Sequence, residues 1–259
     1  MNANTATVEI QAPVPAMPAL DAHVVLVTNF IPPYGVPLLC ALARRLGKLT
    51  VLVSTPMESN RKWSPDWGDL DVRVQRTVTF RRSWKHPAGF SDVLNVHVPW
   101  DTVGRLRQLR PDAVVSAELG FRSAASALYT RWLRRTPLVL WATLSEHTEQ
   151  GRGAARHLLR KWLARRADAV VVNGASGERY MTRLGFDPAR MVHVPYSGFA
   201  SHFARGPLER KAAPARRLLF VGQLIERKGL APFVCALARW ARSHPDRRVE
   251  LSFAGSGPA

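Results

Sequence analysis

"PLVLWAT", residues 137–143, is an almost uninterrupted apolar run, and "AVVVN", residues 169–173, is another. A strand without polar alternation buries both of its faces, as a parallel strand does between two layers of helices. Amphipathic stretches with the helical period separate most of the strand-like runs in this chain. The sequence therefore predicts an α/β fold with a doubly wound, parallel sheet.

The predicted elements alternate along most of the chain. Strands are predicted at 23–29, 49–54, 72–79, 113–117, 138–143, 169–173 and 191–194. Helices are predicted at 36–46, 100–109, 121–134, 154–166 and 176–184. After a proline-rich and glycine-containing break, a second βαβ unit is predicted, with strands at 217–221 and 249–253 around a helix at 228–242.

Arginine dominates the charge of the chain. There are 37 basic and 19 acidic residues, a net charge of +18, and only six of the basic residues are lysine. Two interpretations stay open: arginine fills ordinary solvated positions, or the protein meets an anionic partner such as a nucleotide, a membrane surface or nucleic acid. The sequence has no zinc-ligand cluster and no recognisable helix-turn-helix, which argues against nucleic acid.

The sequence indicates a cytoplasmic protein, with peripheral contact at the inner face of the cell membrane as its closest approach to lipid. No uncharged run reaches the roughly 20 residues that cross a bilayer, and residues 1–20 lack the basic start of a signal peptide. The segment 154–166 has Leu158, Leu159, Trp162 and Leu163 on one side and arginines around the other. Such a helix could lie on an anionic membrane, but the favoured interpretation places its apolar side in the core.

The stretch "FVGQLIERKG", residues 220–229, combines a strand end, a tight turn and a basic pair before a helix. Gly222 allows the chain to turn sharply, and Arg227 and Lys228 stand at the mouth of the predicted helix. Free amide groups and the positive end of the helix dipole lie at the same place. The pattern favours a site for an anion such as phosphate, and the alternative is a common turn with solvated charges.

This turn resembles the start of the second domain in the family-4 retaining glycosyltransferases, which have the GT-B architecture of two facing Rossmann-like domains. In that family a V-G-R/Q-L turn and an E-K-G or R-K-G helix start precede a strand closed by G-x-G-P, and "LSFAGSGP" stands here at 251–258. The resemblance implies that the turn at Gly222, with Arg227 and Lys228, holds the diphosphate of a nucleotide-sugar donor. Gln223 stands where the family often has arginine, so it can donate a hydrogen bond without neutralising charge.

The resemblance extends to the first domain. "TNFIPPYG" at 28–35 resembles the loop that faces the donor, and Gly35 would let the backbone approach a ligand. "WATLSEHTEQGRG" at 141–153 matches the place where family members often carry a histidine near the reacting sugar, which makes His147 the candidate catalytic residue. Glu146 beside it and Glu118, at the end of another strand, are candidate acceptor-side residues.

The resemblance also implies a domain organisation. Residues 21–194 would form a complete N-terminal, acceptor-side Rossmann-like domain, after a disordered lead at 1–20. A linker would occupy 195–216, and 217–259 would be the first βαβ unit of a second, nucleotide-sugar-binding domain. The family's second domain continues with a pair of glutamates that contact the donor, and no such pair follows Lys228. We therefore expect a chain that is truncated in its second domain.

The function implied is transfer of a sugar from a nucleotide-sugar to a glycan or lipid-linked acceptor with retention of configuration, as in polysaccharide biosynthesis. Little or no transfer is expected from this chain alone. The alternative is a non-catalytic remnant that binds glycan or membrane. The donor is a substrate, so no cofactor is implied. No metal is implied either, because Lys228 and its helix start would neutralise the charge of the leaving diphosphate.

Overall fold

The computed structural model describes residues 19–59, 61, 63–87, 89–195 and 215–257. The strands in these ranges are β1 (Leu20–Thr28), β2 (Leu46–Val53), β3 (Asp71–Val74), β4 (Thr77–Lys85), β5 (Ser91–Pro99), β6 (Ala113–Ala117), β7 (Leu138–Ala142), β8 (Ala169–Val172), β9 (Met191–His193), β10 (Ala215–Val221) and β11 (Arg248–Ala254). The α-helices are α1 (Val36–Ala43), α2 (Thr102–Leu109), α3 (Phe121–Leu128), α4 (Ala154–Ala164), α5 (Ala175–Arg183) and α6 (Leu230–Ser243).

Residues 19–195, here called the larger lobe, are built on a seven-stranded sheet in the order β3-β2-β1-β6-β7-β8-β9. Every pairing in this sheet is parallel. The order reverses between β1 and β6, as it does in a Rossmann fold, and ligands of such sheets bind at that switch point beside the carboxyl ends of the strands. The predicted α/β, doubly wound fold is confirmed.

Both faces of the sheet are covered, as its apolar strands require. Along β1, Val25 and Val27 belong to one buried cluster, and Val24 and Leu26 belong to another. The first cluster includes Leu163 of α4, whereas the second includes Leu39 of α1. Alternate side chains of one strand therefore pack into two separate cores, which is the arrangement that a run without polar alternation predicts.

The prediction of one continuous strand at 72–79 is wrong. The structure divides it at Gln75, whose side-chain amide is buried and donates to Thr102 Oγ1 at 2.8 Å. The first part is β3, an edge strand of the central sheet, and the second is β4, which pairs antiparallel with β5 in a separate hairpin. The hairpin was not predicted, because residues 72–79 largely alternate between apolar and polar side chains across the break at Gln75 and so resemble one continuous strand.

Two predicted helices differ in detail. The α-helix predicted at 121–134 ends at Leu128, and a π-helix (Tyr129–Leu133) follows it. In α4, Leu163 is buried as predicted, but Leu158 is 65% exposed and Arg160 only 1% exposed. The interpretation that separated an apolar side with Leu158 from a solvated arginine side is therefore wrong for these two residues. The cause is an acidic partner for Arg160, described below.

Residues 215–257, here called the smaller lobe, form one βαβ unit in which β10 and β11 pair in parallel. The helix begins later than predicted, at Leu230. A 3₁₀ turn (Glu226–Lys228) comes first, and Gly229, with a φ of +68°, separates this turn from α6. Gly222 also has a positive φ, +151°. Glycine adopts these angles at little steric cost, which accounts for both glycines in the turn. The ends of the predicted linker, 195 and 215–216, are described, and the rest of it and residues 1–18 lie outside the described residues.

Candidate functional site

The main cleft lies at the carboxyl ends of the central strands, at the switch point between β1 and β6. Its volume is about 590 Å³. Asn29 follows β1 and Glu118 follows β6, and both line this cleft. The smaller lobe contributes Gln223 and Arg227 from the segment after β10. The cleft is therefore shared by the two lobes.

A buried arginine fixes the wall at the switch point. Arg122 Nη1 donates to Asn29 Oδ1 at 2.6 Å and to Ser54 Oγ at 3.2 Å, while its Nη2 donates to Glu118 Oε2 at 3.2 Å. Burial lowers the pKa of the Arg122 guanidinium, and the charge of Glu118 opposes that shift. One side chain thus ties together the segments that follow β1, β2 and β6.

Glu118 is held in an unfavourable backbone conformation. Its φ is +65°, a region that residues other than glycine and asparagine seldom adopt. Such strain costs of order 1–3 kcal/mol and persists where surrounding contacts enforce it, often at functional sites. Ser123 Oγ donates to the Glu118 carbonyl, and Arg122 holds its carboxylate. The strained backbone and the contacts that enforce it make Glu118 a candidate functional residue. Its acceptor-side role stays a prediction.

A cluster of arginines surrounds one carboxylate in the neighbouring wall. The Glu149 side chain is 3% exposed and accepts a hydrogen bond from Arg160, which also donates to Tyr180 Oη at 2.7 Å. The Nε atoms of Arg156 and Arg152 lie 3.6 and 4.0 Å from the same Glu149 oxygen. Arg152, Arg156 and Glu149 all line the cleft.

The hairpin of β4 and β5 contacts the loop that carries Glu149 and Arg152. The Arg152 guanidinium lies 3.5 Å from the centre of the Trp84 ring, and His86 Nε2 is 2.9 Å from the His147 carbonyl oxygen. On the other side, the Ser91 amide donates to Glu226 Oε2 of the smaller lobe at 3.1 Å. The hairpin therefore touches both the loop after β7 and the second lobe.

The structure brings four of the predicted site residues together. Gly35, Glu118, Gln223 and Arg227 line the same cleft. Lys228 is exposed and is not among the cleft-lining residues, although its neighbour Arg227 is. Successive residues of a 3₁₀ turn are about 120° apart, so these two cations do not share a face.

The other predicted residues lie outside the lining. Gly222 shapes the turn by its backbone angle. His147 is exposed, and its carbonyl oxygen contacts His86. Glu146 accepts a hydrogen bond from Arg179 Nε at 2.7 Å, and this contact lowers the pKa of the Glu146 carboxyl. The catalytic role of His147 and the acceptor-side role of Glu146 stay predictions.

The role of Arg122 and the grouping of arginines around Glu149 were not predicted. The arginines of helix 154–166 were interpreted as its solvated side. Arg156 and Arg160 are spaced by four residues within the predicted helix, which brings their side chains to one side of it, and Arg152 stands four residues before Arg156. Together with Glu149 just before them, this spacing was a signal that could have been used. Arg122 had no comparable signal, because its partners are distant in sequence.

The described residues contain no group of three or more histidine, cysteine, aspartate or glutamate side chains suited to a metal ion. The sequence has one Asp-x-Asp, at 69–71. Asp71 accepts hydrogen bonds from Arg73 at 3.0 Å and from Thr50 at 2.9 Å, and its contact with Arg73 lowers the pKa of the Asp71 carboxyl. It stands at the amino end of β3, away from the carboxyl ends that form the cleft.

The model of the glycosyl transferase 4-like domain family matches residues 14–197, most of the chain. The chain belongs to this family. No curated protein matches its sequence. Among solved structures, this glycosyl transferase 4-like protein is similar to the catalytic domain of starch synthase IV from Arabidopsis thaliana bound to ADP and acarbose. The TM-score is 0.51 at 11% identity, and the alignment covers 92% of this chain and 69% of that one.

A putative UDP-N-acetylglucosamine 2-epimerase from Listeria monocytogenes is also similar, with a TM-score of 0.50 at 13% identity. That alignment covers 90% of this chain, which spans 62% of the epimerase's length. Identities this low bear on the fold alone. The glycosyl transferase 4-like protein has the GT-B type of α/β fold, with a Rossmann-like larger lobe and one βαβ unit of a second.

Proposed function

We propose that this protein is a glycosyltransferase that takes a nucleotide-sugar donor and transfers the sugar, with retention, to a glycan or lipid-linked acceptor. The observation that carries the proposal is the shared cleft. The switch point of the larger lobe, with Asn29 and Glu118, forms one wall, and Gln223 and Arg227 of the smaller lobe form part of the other. This arrangement suits a reaction in which two substrates meet between two lobes.

The proposed chemistry is mainly electrostatic. Breaking the bond between the sugar and the donor leaves negative charge on a diphosphate, and cations fixed near that charge stabilise the transition state. Arg227 would supply a planar fork of donors to the diphosphate, and Gln223 would add an uncharged hydrogen bond. Lys228 is predicted for the same role, but it does not line the cleft and its side chain would have to extend into the cleft to reach the diphosphate. Exclusion of water between the lobes would protect the activated sugar from hydrolysis.

Nucleotide binding tests this proposal. We expect saturable binding of at least one of ADP, UDP and GDP by titration calorimetry. Arg227→Gln should weaken that binding about tenfold or more, because a charge-assisted hydrogen bond is lost. The affinity for the corresponding nucleoside, which has no phosphate, should be the same in Arg227→Gln and in the unaltered protein.

Arg239→Gln is the matched control, because Arg239 is an exposed arginine on α6. It removes the same charge from the same lobe and should leave the affinity within about twofold. Absence of saturable binding by all three nucleotides would contradict the proposal, and so would equal losses in the two variants.

Contact with an anionic membrane surface is a second proposal, supported by exposed apolar residues beside arginines. Trp132 is 72% exposed in the π-helix after α3, and Leu128 and Leu133 are also exposed. Three exposed arginines flank these residues: Arg131, Arg134 and Arg135. Aromatic and basic side chains together favour the interface of an anionic bilayer. None of the described helices has the length and apolar character needed to cross a bilayer.

Vesicle co-sedimentation tests the membrane contact. The protein should bind vesicles that contain phosphatidylserine more strongly than neutral phosphatidylcholine vesicles, since each arginine near an anionic surface contributes about 1 kcal/mol. Trp132→Ser should reduce binding severalfold, because the ring no longer enters the interface. The control is Trp63→Ser, which changes an exposed tryptophan of the larger lobe outside the π-helix. Equal binding to both kinds of vesicle would argue against the proposal.

A further inference from the structure

The cluster around Glu149 brings three cations to one carboxylate at the wall of the cleft. Three guanidinium groups, those of Arg152, Arg156 and Arg160, share one carboxylate. Arg160 takes the closest contact and is buried at 1% exposure. Arg152 and Arg156 lie at 4.0 and 3.6 Å from the carboxylate, longer than a hydrogen bond. The buried Glu149–Arg160 pair therefore acts as a support, with two further cations on its cleft side.

Arg156 is ion-paired with Glu149, but its buried Nε has no hydrogen-bond partner among the described residues. Burial lowers the pKa of the Arg156 guanidinium and the neighbouring charge of Arg160 lowers it further, whereas the charge of Glu149 opposes these shifts. A second anion beside Arg156 would add to the effect of Glu149, since it supplies further opposite charge and a hydrogen-bond acceptor.

Arg152 is held in position for the same ligand. Its Nε donates to the Thr148 carbonyl at 3.0 Å, and its guanidinium stacks on Trp84. The start of α4 adds to the attraction, because it has no side-chain cap and no acidic residue in its first turn. The first amides of a helix have no partner within the helix, and the dipole favours negative charge there.

We propose that Arg152 and Arg156 form a second anion site in the cleft, one that receives the phosphate or diphosphate group of the acceptor. The assignment to the acceptor rests on the proposed function, in which Gln223 and Arg227 of the smaller lobe take the donor's diphosphate. A further phosphate on the larger-lobe side of the cleft then belongs to the other substrate. Phosphate suits the site because arginine binds it with two parallel hydrogen bonds. The substrate class is a phosphorylated sugar or a lipid diphosphate.

Titration of inorganic pyrophosphate into variants tests the site. Arg156→Gln should weaken the binding of pyrophosphate at the larger-lobe site about tenfold or more. This is the loss expected when a charge-assisted hydrogen bond is removed. The matched control is Arg165→Gln, which removes an exposed arginine from the end of the same helix and should change affinity by no more than about twofold. Arg156→Lys keeps the charge but loses the planar fork, so its loss should be intermediate.

A comparison of the two arginine variants separates this inference from the proposed function. Arg156→Gln should leave nucleoside diphosphate binding unchanged within about twofold, whereas Arg227→Gln should reduce it. If the unaltered protein bound no nucleotide but lost its pyrophosphate binding on Arg156→Gln, the second site would be supported and the donor proposal rejected. If Arg156→Gln weakened nucleotide binding as strongly as Arg227→Gln, the acceptor assignment would be overturned.

The source of the phosphate is distinguished by ligand. Geranyl diphosphate should bind more tightly than pyrophosphate if the acceptor is lipid-linked, and glucose 1-phosphate should bind at least as well if it is a phosphorylated sugar. In each case the gain should depend on Arg156. Pyrophosphate affinities of Arg156→Gln, Arg156→Lys and Arg165→Gln equal to that of the unaltered protein would overturn the inference. Glucuronate binding as tightly as pyrophosphate would overturn the phosphate class.

Discussion

Replacing Glu149 by glutamine should destabilise the larger lobe by about 3–5 kcal/mol, the cost of leaving a buried charge without its partner. Glutamine has nearly the same shape, so the change removes charge rather than volume. Arg160, at 1% exposure, would then be buried beside Arg156 without the carboxylate that is its closest partner. Urea unfolding followed by circular dichroism measures the free energy of unfolding.

Two further variants make this expectation specific. Glu178→Gln removes a carboxylate that is 40% exposed and paired with His193, and it should change stability by less than about 1 kcal/mol. The double variant Glu149→Leu with Arg160→Met replaces the buried pair by apolar side chains and should recover much of the loss. A loss below about 1 kcal/mol for Glu149→Gln would show that the cluster needs no internal counter-charge.

Replacing Arg122 by methionine should have the second largest effect, a loss of about 2–4 kcal/mol, since hydrogen bonds from a charged donor contribute about 1.5–3 kcal/mol each. Methionine can fill the space of the stem, but it leaves Asn29 and Ser54 without the donor that joins them to Glu118. Urea unfolding again reports the loss of stability.

Arg122→Lys keeps the positive charge, yet its single ammonium cannot reproduce the three contacts of the guanidinium, so an intermediate loss is expected. Arg107→Met, at an exposed position of α2, is the control for removing an arginine and should stay within about 0.5 kcal/mol of the unaltered protein. If Arg122→Met and Arg107→Met were equally stable, the inferred role of Arg122 in joining the three segments would be wrong.

The central sheet could be predicted from the sequence because burial on both faces favours runs that are mostly apolar, without regular polar alternation. The strand predicted at 113–117 has the bounds of β6, and the strand predicted at 169–173 differs from β8 by one residue. The hairpin of β4 and β5 could not be predicted in the same way. Most of β4 is exposed and no second apolar layer imposes a pattern on it, so its position depends on contacts with other segments.

The candidate site could be predicted only where a local pattern marks a local structure. Gln223 and Arg227 belong to a turn with its own glycine signals, and both line the cleft. The arginines of the larger lobe were harder to interpret. Composition does not show which arginines are buried and which are solvated, or which of them form ion pairs. Arg122 and Arg160 show a third use, as buried ties between loops, which depends on partners brought close by the tertiary fold.

The two outer strands of the central sheet are short, which limits how a second chain could extend the sheet. β3 has four residues and β9 has three. A second chain that added itself to either edge would gain few backbone hydrogen bonds, and on β3 it would meet the charged pair of Asp71 and Arg73. Cross-β growth needs long, flat, uncharged templates. The central sheet offers none at its two ends, so a second chain gains little by extending that sheet.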